Sequence, residues 1–377
     1  MKKTFFAILG VAACLLIIEI GLKISGVNRG YKENAQKFKE NPLNFKAAMG
    51  SSRHKPEKEE GVFQHVLIDH LTQAFDPDLF WTIEPCSDYY PNRFLSWFKR
   101  GEVPSDERKE KINSLGFRAK EIDPVKSVEE IRIFCMGDSC TFGLGVDRHE
   151  TFAAGLARLL SEVSPEKRIA VYNAGTPGYT SYQGLQQLNK KILALQPDIL
   201  ILSYGINDNA ANRNITDADF ALLLRETPLK RFQQSVLHKS EIYLALKKLI
   251  MYGKSGISSS GKENTPRVPL PDFEHNYEEM VSTAENLGIK VVIFRPALAG
   301  RSTTEYLDTL PDLARRLRVS YFDGKAYLEQ ASLRLEKEDP GFAYNDFFID
   351  ALHPSVLGHA VIARGLYELL ISDALLQ

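Results

Sequence analysis

The feature that most constrains this fold is an alternation of short apolar runs and amphipathic segments that begins at residue 130. The apolar runs, which have the length of buried strands, lie at 131–136, 169–172, 198–204, 290–294 and 319–322. Apolar residues recur at helical spacing between them, in 152–163, 185–195, 273–287 and 357–369. The third run (DILILSY) is almost continuously apolar, as expected for a strand with both faces covered. The alternation predicts a five-stranded parallel sheet inside a three-layer α/β/α sandwich.

Composition excludes some classes of protein without indicating a function. Of the 377 residues, 44% are hydrophobic and 25% are charged, which is ordinary for a globular protein. A formal net charge of −1 offers no basic surface to nucleic acid, and no nucleic-acid partner is expected. The cysteines, Cys14, Cys86, Cys135 and Cys140, have neither C-x-x-C spacing nor metal-site spacing with histidine. We therefore expect no disulfide framework, no metal and no cofactor.

The first 25 residues contain a targeting signal. Two lysines precede an uncharged, mostly apolar run at 5–18, and Glu19 follows it. The run is long for the core of a cleaved signal peptide and short for a span of about 20 residues. We predict an uncleaved signal-anchor helix at 1–25 that tethers the protein to a membrane, with its bulk on the extracytoplasmic side. The alternatives are a lipoprotein signal with Cys14 as the lipidated residue, ordinary cleavage, and a buried helix with no targeting role.

The rest of the chain divides by composition into three parts. Residues 26–74 are polar with mixed charge, which predicts a linker. Residues 75–129 are rich in aromatic and turn residues, which predicts a small N-terminal extension packed on the main domain. The main domain is expected at 130–377, with an insertion at 210–270 that ends in a Gly/Ser-rich loop. The insertion is either a lid over a site or a helical excursion.

Polar residues follow the predicted strands, at the edge where open α/β sheets bind ligands. They form four blocks: Gly137-Asp138-Ser139, Asn173-Ala174-Gly175, Gly205-Ile206-Asn207-Asp208 and Asp350-Ala351-Leu352-His353. Each block by itself is typical of a turn or of a helix cap. Together the blocks contain every group that nucleophilic catalysis by a serine requires.

Ser139, His353 and Asp350 are predicted to form a catalytic triad. A serine hydroxyl is a weak nucleophile until a base removes its proton, and histidine titrates near neutrality. Asp350 lies three residues before His353, close enough to orient the imidazole and to stabilise its protonated form. Attack on a carbonyl also needs donors to the developing oxyanion. The candidates are the N–H groups of Ser139 and Gly175 and the side-chain amide of Asn207.

The four ordered blocks resemble those of the SGNH (GDSL-like) hydrolase superfamily across the whole predicted main domain. The resemblance implies a flavodoxin-like α/β/α sandwich and serine hydrolase chemistry. It implies that Ser139 is the nucleophile and first oxyanion donor, and that Gly175 and Asn207 complete the oxyanion hole. It also implies that His353 is the base and Asp350 its orienting carboxylate.

The N-terminal extension resembles that of membrane-anchored bacterial relatives in an Asp-Pro-x-x-x-Trp segment at 76–81 and an Asn-Ser-x-Gly-Phe-Arg segment at 113–118. Arg118 either reaches the site or forms a structural ion pair. The predicted protein is an extracytoplasmic serine esterase for short acyl esters, such as O-acetyl groups on carbohydrate. The alternatives are an O-acyltransferase acting on cell-surface polysaccharide and an esterase or lysophospholipase directed at lipid.

Overall fold

The computed structural model describes residues 73–91, 109–163, 168–210, 215–227 and 265–376. The predicted signal-anchor, nearly all of the predicted linker and most of the predicted insertion lie outside these ranges. None of the helices within them combines the length and the apolar character that a membrane span needs.

The chain divides into two compact units. One unit comprises Phe63–Phe220 and Asn264–Gln377 and contains the sheet and the predicted site residues. The other comprises Met1–Val62 and Ala221–Glu263, and its described residues, 221–227, include the end of one helix.

The described residues form strands and helices in the predicted alternation. The strands are β1 Gln73–Ala74, β2 Thr82–Ile83, β3 Asp88–Tyr89, β4 Glu110–Lys111, β5 Glu130–Gly137, β6 Arg168–Asn173, β7 Ile199–Ser203, β8 Lys290–Arg295 and β9 Ser320–Asp323. The α-helices are α1 Ser139–Phe142, α2 Phe152–Val163, α3 Ser181–Gln187, α4 Asp217–Glu226, α5 Leu270–Asn286, α6 Glu305–Leu317, α7 Gly324–Glu338 and α8 Val356–Ser372. Helix α3 continues into a π-helical turn, Leu188–Ile192, and a 3-10 turn, Leu193–Leu195.

Strands β5 to β9 form one parallel sheet in the order β6-β5-β7-β8-β9. Each of the five predicted core strands is confirmed to within about one residue at either end. In the register of the sheet, Cys135 of β5 lies beside Asn173 at the end of β6. Gly137 at the end of β5 lies beside Ser203 at the end of β7. The loops that leave these three strands therefore meet at one edge of the sheet.

The two faces of the sheet are covered separately. Alternate residues of β5 and β7 enter two hydrophobic clusters: Phe134, Met136, Leu200 and Leu202 enter one, and Ile133, Cys135, Ile199 and Ile201 enter the other. Helices α3, α5 and α6 pack into the first cluster, and helices α2, α7 and α8 into the second. Because side chains alternate across a strand, one continuous apolar run supplies both cores. The predicted three-layer arrangement is therefore observed.

The described part of the N-terminal extension folds into two antiparallel ribbons, β1–β2 and β3–β4, and it begins two residues before the predicted boundary, since β1 comprises Gln73–Ala74. A buried hydrophobic cluster joins this part of the chain to the main domain. It comprises Ile83, Tyr89 and Ile112, the last of which directly follows β4, together with Phe142 and Leu144. Phe142 is the last residue of α1, the short helix that follows β5. The extension thus packs directly against the segment that carries the predicted nucleophile.

Candidate active site

Ser139, His353 and Asp350 form a continuous chain of hydrogen bonds. The Ser139 hydroxyl donates to His353 Nε2 over 2.8 Å. The His353 Nδ1–H donates to Asp350 Oδ2 over 2.6 Å. These are the two contacts that link a nucleophile to its base and the base to its orienting carboxylate. The fold therefore brings together a serine and a histidine that lie 214 positions apart in the chain.

Local backbone geometry places Ser139 at the first position of α1. The side chain of Asp138 caps this helix, since its Oδ1 accepts the backbone N–H of Cys140 over 2.9 Å. Gly137 ends β5, and a Cβ on it would overlap Thr141 Oγ1 and lie 2.6 Å from the Ser203 carbonyl oxygen. Only glycine fits where the strand turns so tightly into the helix. The turn presents Ser139 at the carboxyl edge of the sheet.

The loop that carries the base is held by its own carboxylate. Asp350 Oδ1 accepts the backbone N–H groups of Leu352 and His353, each over 2.7 Å. The second oxygen, Oδ2, remains for the imidazole. The spacing of three residues between Asp350 and His353 thus serves both the turn and the triad, because one carboxylate bonds the backbone and the ring at once.

Burial and charge act in opposite directions on the two titrating groups. Burial lowers the pKa of His353, but the charge of Asp350, its hydrogen bond and the charge of Asp138 outweigh burial and hold the pKa above the ordinary value. Burial raises the pKa of Asp350, but the charge of His353 and the hydrogen bonds from the loop hold it below the ordinary value. This pairing stabilises the imidazolium that forms when His353 accepts a proton.

The N–H of Gly175 is not free to act as the predicted donor to the oxyanion. Its N–H donates to Asn173 Oδ1 over 3.0 Å. A Cβ at this position would overlap the backbone nitrogen of Phe142 and lie 2.8 Å from the carbonyl carbon of Thr141. The glycine therefore allows the loop to pack on the backbone of α1, and its N–H already has an acceptor. The structure corrects the predicted oxyanion role of Gly175.

Another glycine of the same loop offers the missing donor. The N–H groups with acceptors belong to Ala174, Gly175, Thr176, Tyr179, Thr180 and Ser181. Pro177 has no N–H, so Gly178 is the one residue of 174–181 whose N–H lacks an acceptor among the described residues. Gly178 is only half-buried, so its unpaired N–H is accessible to solvent and to a ligand.

The sequence contained a signal for Gly178. The Tyr179 N–H donates to the Thr176 carbonyl over 3.1 Å, which closes a four-residue turn. Pro177 and Gly178 are the central residues, and Gly178 has φ of 80°. Proline followed by a glycine with positive φ is the signature of a type II turn. A Pro-Gly pair after a strand therefore indicated which glycine has an exposed central peptide.

Asn207 lies between this turn and the nucleophile. Its amide nitrogen donates to Asp138 Oδ2 over 3.2 Å and to the Tyr179 carbonyl over 3.1 Å. These acceptors are the chain neighbours of Ser139 and of Gly178. The N–H of Ser139, at the start of α1, has no acceptor in the described part of the chain, as expected for a first helical turn. The candidate donors with no acceptor in the described part of the chain are therefore the Ser139 N–H and the Gly178 N–H, and the Asn207 amide lies next to both with its own two N–H groups bonded.

Arg118 belongs to the scaffold of the site. It is 1% exposed and bonds the carboxylate of Glu110 through two nitrogens, over 2.9 and 3.0 Å. It also donates to the carbonyls of Phe142 and Gly143, over 3.0 and 2.5 Å. These carbonyls end α1, where a cation is favourable. Of the two interpretations of Arg118, the structural ion pair applies, and the ion pair also holds the helix that begins with Ser139.

One group of side chains has the spacing of a metal site. In the ranges that the structure describes, Asp147, His149 and Glu150 place ligand atoms within 4.8 Å of one another. Asp147 and Glu150 bond each other's backbone N–H in a capping box around a 3-10 turn. The capping box therefore accounts for the short distance between the carboxylates of Asp147 and Glu150.

Comparisons with known proteins identify the family. The model of the GDSL-like Lipase/Acylhydrolase family matches residues 135–361. Solved structures similar to this chain include an acetylxylan esterase from Geobacillus stearothermophilus, with 18% identity, 64% of this chain and 94% of that chain covered, and a TM-score of 0.41. A GDSL-like lipase from Parabacteroides merdae has 15% identity, 65% and 96% covered, and a TM-score of 0.41. A search of curated proteins found no match.

The family match spans more than half of the chain and includes all of the predicted site residues, from Ser139 to His353. The resemblance to the GDSL-like hydrolases is thereby confirmed. The chain belongs to the GDSL-like lipase/acylhydrolase family and is a serine hydrolase that acts on ester bonds.

Proposed function

We propose that this enzyme hydrolyses acyl esters through a covalent acyl-enzyme on Ser139. The observation that carries the proposal is the hydrogen-bonded chain from Ser139 Oγ through His353 to Asp350, with lengths of 2.8 and 2.6 Å. As Oγ attacks the ester carbonyl carbon, His353 Nε2 accepts the hydroxyl proton. The carboxylate of Asp350 stabilises the resulting imidazolium.

The attack converts the carbonyl oxygen into an oxyanion. The N–H groups of Ser139 and Gly178 donate to it, and the Asn207 amide joins them by giving up one of its two present acceptors, Asp138 Oδ2 or the Tyr179 carbonyl. Preorganised donors contribute roughly 3–4 kcal/mol each in such sites. The intermediate collapses when the C–O bond to the alcohol breaks and His353 returns its proton to the leaving oxygen. A water molecule, deprotonated by His353, then attacks the acyl-enzyme and releases the carboxylic acid and free Ser139.

We propose further that the enzyme works outside the cytoplasm, tethered by its N-terminal segment, and removes short acyl groups from carbohydrate. Two lysines followed by an apolar run at 5–18 support the tether and its orientation. Surface polysaccharides carry O-acetyl esters that an enzyme in this position reaches. Accessibility of the catalytic domain to added protease in spheroplasts, with intact cytoplasmic markers, tests the location.

Labelling with a serine-directed fluorophosphonate tests the acyl-enzyme. The full chain is expected to take up one label, which the Ser139→Ala variant does not take up. Equal labelling of the variant would contradict the assignment of the nucleophile.

A panel of p-nitrophenyl esters from acetyl to octanoyl tests the acyl group. A steep fall in kcat/KM beyond propionyl is expected for a short-chain esterase, and a rise towards octanoyl would contradict that part of the proposal. Turnover that requires a sugar acceptor, with negligible release of free acid, would contradict hydrolysis itself.

A further inference from the structure

Trp81 connects the N-terminal extension to the turn that carries Gly178. Its indole N–H donates to the Pro177 carbonyl over 3.3 Å, across 96 positions of sequence. In return, the Tyr179 hydroxyl donates to the Trp81 carbonyl over 2.8 Å. The two rings meet edge to face, with centroids 5.9 Å apart and an interplanar angle of 65°. Two hydrogen bonds and a ring contact therefore hold the turn against the extension.

The carbonyl that accepts the Trp81 hydrogen bond and the proposed oxyanion donor are the two ends of one peptide group. The Pro177 carbonyl and the Gly178 N–H belong to the same peptide group, which is planar, so the direction of one determines the direction of the other. This peptide is the central one of a type II turn, and its rotation converts the turn to type I. A hydrogen bond to its carbonyl prevents that rotation and also strengthens its N–H as a donor, since linked hydrogen bonds polarise one another.

Gly178 is held on its second peptide as well. Arg267 Nη1 donates to the Gly178 carbonyl over 2.6 Å, and Arg267 is paired with Asp217 over 2.8 Å. The Arg267 guanidinium also lies 5.6 Å from the centre of the Trp81 ring. A Cβ on Gly178 would lie 3.2 Å from Trp81 Cζ2. The turn, the indole and the buried guanidinium thus form one packed assembly, in which the Trp81 bond fixes the Gly178 donor.

We propose that Trp81 is a positioning residue for catalysis: by donating to the Pro177 carbonyl, it orients and polarises the peptide whose N–H at Gly178 binds the oxyanion. The inference rests on the proposed function, because it requires the Gly178 N–H to contact the tetrahedral intermediate. It gives the N-terminal extension a direct effect on the chemistry, beyond packing.

Trp81→Phe in the full chain tests the inference, because it keeps an aromatic ring and removes the N–H. We expect kcat for p-nitrophenyl acetate to fall roughly tenfold, a fraction of the effect of deleting a whole donor. KM should stay within about twofold, since the bond acts on the transition state more than on the bound ester. Affinity for a boronic acid, which forms a tetrahedral adduct with the serine, should fall by the same factor as kcat.

A second variant separates the N–H from packing. Site-specific replacement of Trp81 by benzothienylalanine keeps the shape of the bicyclic ring and substitutes sulfur for the N–H. It should reproduce the fall in kcat with an unchanged melting temperature. Phe80→Leu is the matched control, because the Phe80 ring touches Trp81, with centroids 6.3 Å apart, and should leave kcat near that of the parent.

A parental kcat in the benzothienylalanine variant would overturn the role of Trp81 and leave the acyl-enzyme mechanism intact. Hydrolysis by Ser139→Ala at the parental rate would instead overturn the proposed function. The two failures therefore give different results in the same assay.

Discussion

The two sides of the active site are built in different ways. On the triad side, Asp350 organises its own loop, since it bonds the backbone of Leu352 and His353 as well as the imidazole. On the oxyanion side, the turn at Gly178 is held by Trp81 and Arg267, which lie 96 and 89 positions from the atoms they bond. The triad residues are therefore positioned by short local motifs, whereas the proposed oxyanion donor is held by remote parts of the fold.

The strongest test of the triad side is a comparison of Ser139→Ala, His353→Ala and the double variant. Each single variant should lower kcat by about 10⁵-fold or more, and the double variant should be no worse, because the residues act as a unit. Initial rates of p-nitrophenyl acetate hydrolysis measure the three effects. An additive loss in the double variant would contradict a shared mechanism.

The next largest effect is expected from Asp350→Asn, which retains an oxygen for the loop and loses the carboxylate charge. We predict a fall in kcat of roughly 10³- to 10⁴-fold, from the loss of imidazolium stabilisation. Active enzyme needs neutral His353, so activity rises as the pH passes the pKa of His353. Asp350 raises that pKa, so the acid limb of kcat/KM should lie above about 6.5 in the parent.

In Asp350→Asn, burial still lowers the pKa of His353 while the counteracting charge of Asp350 is gone. The acid limb should therefore move to lower pH, as measured by pH–rate profiles of residual activity. An acid limb at the same pH as in the parent would show that a group other than His353 controls it.

Arg118→Lys addresses the contact between the extension and α1. One ammonium cannot reproduce a paired bond to Glu110 together with bonds to the carbonyls of Phe142 and Gly143. Lysine keeps the charge but leaves some of these acceptors without a donor, so we expect the free energy of unfolding to fall by about 2 kcal/mol. Denaturant unfolding measures the change.

Arg315→Lys is the control for this substitution, because its pair with Asp312 is 78% and 75% exposed. The expected loss is below about 0.5 kcal/mol. Equal losses in the two variants would contradict a specific role for the buried guanidinium.

A smaller loss of stability than that of Arg118→Lys, and a sharp test of the oxyanion side, is expected from Gly178→Ala with Gly288→Ala as its control. Both glycines have positive φ, 80° and 72°, so each alanine should cost about 1–2 kcal/mol of unfolding free energy. A Cβ at Gly288 meets nothing within 4 Å, whereas one at Gly178 presses on Trp81. Only Gly178→Ala should lose kcat, by roughly tenfold. Equal losses of kcat in the two variants would contradict the proposed role of the Gly178 N–H as a donor to the oxyanion.

The core of the fold was predictable because burial on both faces forces continuous apolar runs such as 199–203, which sequence inspection detects directly. The ribbons of the extension were not predictable, since strands of two residues show no periodicity. Of the predicted donors, the Ser139 N–H has no acceptor in the described part of the chain, whereas the Asn207 amide and the Gly175 N–H are bonded within the protein. The pattern Asn-Ala-Gly looked like a strand-exit turn, but the side chain of Asn173 takes the N–H of Gly175.

The family and the order of the core strands along the chain followed from the sequence alone, as did the choice of a serine, a histidine and an aspartate that the fold brings into hydrogen-bond contact. The sequence could indicate these residues because they work through short motifs at strand ends. The Pro-Gly pair pointed to Gly178, but the tertiary structure was needed to show that its N–H has no acceptor among the described residues, because that depends on where every other N–H of the loop is bonded. The contacts of Trp81 with the Pro177 carbonyl and of Arg118 with the Gly143 carbonyl also emerged only from the fold, since hydrogen bonds across 96 and 25 positions leave no local pattern in the sequence.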